Sequence, residues 1–175
     1  MTENASGAEN QQERLQSIPI ELGHYLSGFA DGEGSFNVSV VQRKEDYRNK
    51  WKIVVSFNIS QRDSQIPILF RQALGCGTIR YRKDGVCYFE VRIPNDLHTL
   101  VREFFARFPL LSDRQSMRLY YLLEIVDIMM AGEHTKMDGI RAILDIREKM
   151  VVSRRRKYSI ADVLQNPQRP YAGTA

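Results

Sequence analysis

Two carboxylates, Asp31 and Glu33, stand between glycines in the stretch GHYLSGFADGEGSFNVSV, residues 23–40. The stretch reads as a helix that ends near Gly32 and passes into a strand. Carbonyls at a helix C-terminus carry partial negative charge, so an acid there is disfavoured by about 0.3–1 kcal/mol. Two acids in such a place call for a cation. Carboxylate and carbonyl oxygens suit a hard divalent ion such as Mg2+, which also takes water and phosphate oxygens. Ser27, Gly28, Ala30 and Gly32 are small, and Gly28 and Gly32 lie four apart on one helix face. Small residues at that spacing let two helix backbones approach closely. The motif occurs once in the chain, so such a face would meet its own copy across a two-fold axis. It could equally serve a close contact within one chain. If two copies paired, their acids would crowd one spot, and divalent cations would neutralise them.

The elements around the motif follow from periodicity. A helix is expected from about Pro19 to Gly32, with proline near its start and glycine at its end. Phe36, Val38 and Val40 alternate with Ser35, Asn37 and Ser39. Ile53, Val55, Phe57 and Ile59 alternate with Lys52, Val54, Ser56 and Asn58. Period two predicts two half-buried strands. Asp63 or Ser64 caps a second helix that Gly75 stops. A hairpin turns at Lys83-Asp84-Gly85. Asn95 caps a third helix that Pro109 breaks, Ser112 caps a fourth, and Thr135 caps a fifth reaching about Val152. The order α-β-β-α-β-β-α with further helices predicts an α+β domain. One sheet face packs on helices and the other, polar face meets water or a partner. Residues 1–17 read as a polar, disordered tail, 18–153 as the folded domain, and 154–175 as a basic extension.

Charge is distributed unevenly. Residues 1–33 hold one arginine against six acids, whereas residues 34–94 hold eleven Lys/Arg against five acids. The basic excess therefore lies in the sheet segment, an expected footprint of nucleic-acid binding. No apolar run nears the roughly 20 residues of a membrane span, and the opening residues lack a signal-peptide pattern. Cys76 and Cys87 have no metal-ligand spacing and read as ordinary thiols in a reducing, intracellular setting. His24, His98 and His134 fall on different expected helices, again without ligand spacing.

The nine residues Leu26 to Gly34, in the order Leu, Ser, Gly, Phe, Ala, Asp, Gly, Glu, Gly, resemble the signature of the LAGLIDADG homing endonucleases. The element order resembles that family's core, over roughly residues 20 to 150. The resemblance implies an αββαββα core with a four-stranded antiparallel DNA-binding saddle and added C-terminal helices. It also implies a homodimer with motif helices packed at the two-fold axis through Ser27, Gly28, Ala30 and Asp31. The second acid, Glu33, would ligate the catalytic Mg2+, with Mn2+ or Ca2+ able to stand in for it in binding. The Gly32 carbonyl is a neighbouring candidate ligand, and Asp31 is assigned to the helix end or interface, with a lesser role as ligand. Gln61, ending the second strand, would orient water. Arg114, where many relatives carry lysine, would stabilise phosphate charge, with Gln115 adjacent to it. The implied reaction is hydrolysis of both strands of a long near-palindromic DNA target, promoting intron mobility.

DNA-reading candidates on the polar strand faces are Ser35, Asn37, Ser39, Arg43, Lys44, Lys52, Ser56, Asn58, Arg80, Arg82, Lys83 and Arg92, with Tyr88 and Glu90 beside them. Arginine and asparagine suit bidentate contact with guanine and adenine edges, and a β-ribbon fits the major groove. Arg154, Arg155, Arg156 and Lys157 suit phosphate. Two other readings share the fold: an intron maturase that binds RNA, and a catalytically inactive DNA-binding protein. The two acids favour the nuclease. The expected setting is the cytoplasm or nucleoid of a prokaryote, or an organelle.

Overall fold

The computed structural model describes residues 13–42, 51–150 and 158–164. Helix α1 (Ile20–Glu33) runs directly into β1 (Ser35–Gln42), and β2 is Trp51–Gln61. Helix α2 (Gln65–Leu74) crosses to the hairpin of β3 (Thr78–Tyr81) and β4 (Cys87–Val91). Helix α3 comprises Pro94–Asp96, a wide π-helical stretch Leu97–Val101, and Arg102–Arg107. Helices α4 (Asp113–Met130), α5 (Met137–Lys149) and the short α6 (Ile160–Leu164) follow. The sheet order is β1-β2-β4-β3 and every pairing is antiparallel. This is the αββαββα core expected from the sequence.

The register sorts the side chains onto two faces. Phe36 lies opposite Phe57, Val38 opposite Val55, and Val40 opposite Ile53. These residues face the core. Phe57 is fully buried, with ring centroids of Phe36, Phe105, Phe70 and Phe89 at 5.1, 5.4, 5.8 and 6.2 Å. Such edge-to-face and stacked pairs contribute about 0.5–1.5 kcal/mol each beyond their buried area. Because β2 carries Phe57 at the middle of the sheet, this cluster fixes where α2 and α3 rest.

Local chemistry sets the element ends. The Asp63 carboxylate accepts from Gln65 N at 2.8 Å and opens α2, and Gly75, with φ +69°, closes it. Gly85, with φ +81°, makes the hairpin turn, where Arg82 N donates to Val86 O at 2.9 Å. Ser112 caps α4, its Oγ accepting from Gln115 N at 3.4 Å.

Three expectations are corrected. Residues 13–17, read as the end of a disordered tail, form a helical turn. Leu15 is buried in the core and its carbonyl accepts from the Arg107 guanidinium. Helix α3 starts at Pro94 rather than after an Asn95 cap, since proline's fixed φ already suits the first helical position. Thr135 does not cap α5. Its hydroxyl donates back to Gly132 O at 2.8 Å within a short 3-10 turn, Glu133–Thr135. Val152 and the 154–157 basic run lie outside the described residues.

Candidate active site and nucleic-acid interface

The C-terminal end of α1 carries the first of the candidate catalytic groups. Glu33 is the last residue of the helix and is exposed. Among the described residues nothing is paired with its carboxylate. Gly34 N closes the helix on Ala30 O at 2.9 Å, so the later carbonyls, Gly32's included, have no partner within the helix. Gln115 is buried at the start of α4, and its Nε2 donates to Gly34 O at 2.8 Å and to Ala30 O at 3.4 Å. Its neighbour Arg114 is exposed in the first turn of α4. Gln61 ends β2, three residues beyond Asn58, which pairs with Ser35 at the start of β1. Hydrogen bonds thus tie the start of α4, where Arg114 lies, to the end of the motif helix, and Gln61 pairs with Cys87 at the far end of β2.

The two acids of the motif have separate fates. Asp31 accepts from Leu111 N at 3.1 Å and Ser112 N at 2.9 Å through one oxygen, and from Ser112 Oγ at 2.5 Å through the other. Both its oxygens are engaged inside the chain. Of the two motif acids, Glu33 is the one without a partner among the described residues. Among the described residues, no group of three or more His, Cys, Asp or Glu converges on a metal-sized space. Among the described residues, the motif therefore offers one carboxylate without a partner, Glu33, with adjacent carbonyl oxygens. That donor set is hard and fits Mg2+ better than a soft metal.

The motif helix also divides its small residues. Ser27 and Ala30 are 1% and 0% exposed, with Ser27 Oγ donating to Pro109 O at 3.1 Å. Both face the chain's own interior. Gly28 and Gly32 are exposed, and a Cβ added to either would meet nothing within 4 Å. The close internal contact is instead at Gly23, where a Cβ would lie 2.2 Å from the Phe108 ring. The face left open runs through Tyr25, Gly28 and Gly32, with Tyr25 53% exposed.

The outer sheet face is polar along all four strands. Ser35 pairs with Asn58 and Asn37 with Ser56, and both positions 39 and 52 fall on the same face. Asn58 pairs with Glu90, and Glu90 with Thr78; Ser60 pairs with Tyr88, and Tyr88 with Arg80. Ser56, Asn58 and Glu90 are buried in the middle, whereas Asn37, Ser39, Lys52, Arg80, Arg82, Lys83 and Arg92 are exposed around them. Arg43 and Lys44 lie outside the described residues. Burial, then the charge of Glu90, raises the Tyr88 phenol above its ordinary range, although Arg80, Arg92 and Arg82 pull it down. Thr78 and Ser60 were missed in the sequence. Alternation alone would have found Ser60, but the short β3 carries too few apolar residues to fix its phase.

The family profile described as LAGLIDADG endonuclease matches residues 26–125. The chain belongs to the LAGLIDADG endonuclease family. Over 81 residues it is 37% identical to DNA endonuclease I-CvuI of Chlorella vulgaris, covering 45% of this chain and 50% of that protein. Against two probable intron-encoded endonucleases of Neurospora crassa it spans 28% and 24% of their length. The chain thus spans half or less of these relatives. Among solved structures, the crystal structure of the homing endonuclease I-TnaI superposes with TM-score 0.67 at 29% identity, covering 75% of this chain and 89% of that one. I-CvuI in complex with a DNA target in the presence of Mg superposes with TM-score 0.71 at 23% identity, covering 83% and 91%. No helix among the described residues is long and apolar enough to cross a membrane.

Proposed function

We propose that this protein is a site-specific DNA endonuclease that acts as a homodimer and hydrolyses phosphodiester bonds with a divalent metal held at Glu33, promoting mobility of an intron. The observation that carries this reading is the pairing of an exposed, unshared Glu33 with an open Gly28/Gly32 face on the same helix. A second copy docked on that face would bring a second Glu33 beside the first. The site is incomplete without it.

The Glu33 carboxylate and the Gly32 carbonyl would hold Mg2+, which, when bound, lowers the pKa of attached water and neutralises charge on the attacked phosphate. Arg114 cannot act as a base, but its fixed guanidinium fork donates to phosphate oxygens. The Gln61 amide both donates and accepts, and so can hold a water in one orientation. The outer sheet face reads base edges in the major groove. If each protomer covers about one helical turn, the dimer spans about 20 bp, and its two-fold symmetry demands a near-palindromic target. We take residues 18–153, together with the packed turn at 13–17 and the short helix α6, as the endonuclease domain, and the basic run Arg154, Arg155, Arg156 and Lys157 as touching phosphate. The setting we propose is intracellular, in a prokaryote or an organelle.

The test is duplex DNA joining the sequences that flank the gene, incubated with the protein in Mg2+ or in EDTA. Double-strand cutting in Mg2+ alone, lost in Glu33→Gln while binding persists, supports the reading. Tight binding of the intron RNA with no cutting of that junction overturns it in favour of a maturase.

A further inference from the structure

The centre of the sheet's outer face holds an acid. Glu90 is opposite Asn58 on one side and Thr78 on the other, and its side chain is only 9% exposed. A carboxylate beneath a face that meets a polyanion is electrostatically adverse, and it is too deep to reach a base edge itself. Its Oε2 instead takes two guanidinium groups. Arg80 donates to it through Nη2, and Arg92 Nε lies 3.7 Å away. Those two arginines come from different strand positions, and their side chains remain 56% and 51% exposed. One buried oxygen therefore tethers two solvent-facing forks from below.

On the reading that this face binds DNA, we propose that Glu90 is a specificity-determining positioning residue, which fixes the forks of Arg80 and Arg92 for base edges and withholds them from phosphate. An arginine tethered at one edge keeps its other N–H groups for bidentate contact with guanine, and its orientation is set before DNA arrives. Untethered, the same side chain can swing to the nearest phosphate, which carries no sequence information. The negative charge also lowers attraction for DNA in general. Glu90 thus exchanges general affinity for discrimination.

Glu90→Gln keeps the volume and one acceptor oxygen but removes the charge that holds the forks. The full chain, in Ca2+, is used to select from a randomised duplex library, and each position of the enriched site is then substituted singly. Arg80→Ala marks the base pairs that depend on that fork. For Glu90→Gln we expect binding to unrelated duplex to tighten several-fold and the salt dependence to steepen by about one unit. Discrimination should fall about tenfold at the positions that Arg80→Ala marks, with other positions unchanged. A Glu90→Gln profile identical to wild type, or a uniform loss of affinity on all sequences, overturns the proposal. Should Glu90→Gln fail to fold, Arg80→Lys serves, since residue 80 is exposed. It retains the charge but not the fork, and must lose the same preferences at undiminished affinity. A wild-type chain that enriches no sequence defeats the endonuclease reading itself, an outcome distinct from an unchanged Glu90→Gln profile.

Discussion

Asp31 at the end of α1 accepts the Ser112 hydroxyl at 2.5 Å and the Ser112 backbone N–H at 2.9 Å, at the start of α4. The acid is thus placed at two helix ends at once. Repelled by the carbonyls of its own helix, it is attracted by the exposed N–H groups of the next, a stabilisation of similar size. Gln115 reaches back from α4 to Gly34 O at 2.8 Å. The two contacts cross the same junction in opposite directions and lock Arg114 to the helix that ends in Glu33. Asp31→Ala should lower stability by about 1–3 kcal/mol, because it leaves donors without their acceptor. Urea unfolding should show a lower midpoint at unchanged slope.

Glu33→Gln should leave stability within about 0.5 kcal/mol of wild type, since the side chain is exposed and pairs with nothing among the described residues. Cleavage should disappear while duplex binding remains. Equal melting temperatures together with a lost cleavage signal would separate its role from that of Asp31.

Gly28→Leu tests the open face. A Cβ there has no atom of its own chain within 4 Å, so the chain should fold normally. The added bulk would hold two motif helices apart, and sedimentation should report a monomer for the variant and, on the proposed homodimer, twice that mass for the wild type. Gly23→Ala gives the opposite pattern. The new methyl group lies on the Phe108 ring at 2.2 Å, and such overpacking costs about 1–3 kcal/mol, without direct effect on association.

Cys76 should resist alkylation. Burial, then the charge of Asp96, pushes its thiol from its ordinary value of 9.0 up to about 12. At pH 8 it stays protonated, and the thiolate is the reactive form. Iodoacetamide should label it slowly in the folded protein and rapidly after denaturation. The sign of the stability effect follows from the raised pKa. Between about pH 9 and 12 the unfolded chain has released this proton and the folded chain has not, so stability falls as pH rises through that window. A pH series of urea midpoints checks it.

Much of the fold was legible in the chain because its signals are local. Alternation at Phe36, Val38, Val40 and again at Ile53, Val55, Phe57 fixed both the strands and the face they turn to the core. The motif located Glu33 and the helix that carries it. Less legible was which way each residue of that helix turns. Ser27 and Ala30 look as suitable for a partner as Gly28, but Leu26 and Ala30 fall four apart and belong to the apolar stripe. That stripe was the available sign that position 30 turns inward. Asp31 could not be read at all, because its acceptor role depends on Leu111 and Ser112, which come near only when α4 returns to the sheet.

The strand order also bears on how the chain finds its shape. β1 pairs with β2 and β3 with β4, each across a short connection, whereas the β2–β4 seam joins them only after α2 has crossed over. Two ribbons can zip early from nearby residues, but neither has a complete platform until the seam closes, and distant pairings are the slow ones. Phe57 and Phe89 face each other across that seam with ring centroids 6.2 Å apart. Closing that seam therefore completes the hydrophobic interior and the four-stranded surface on its reverse side together.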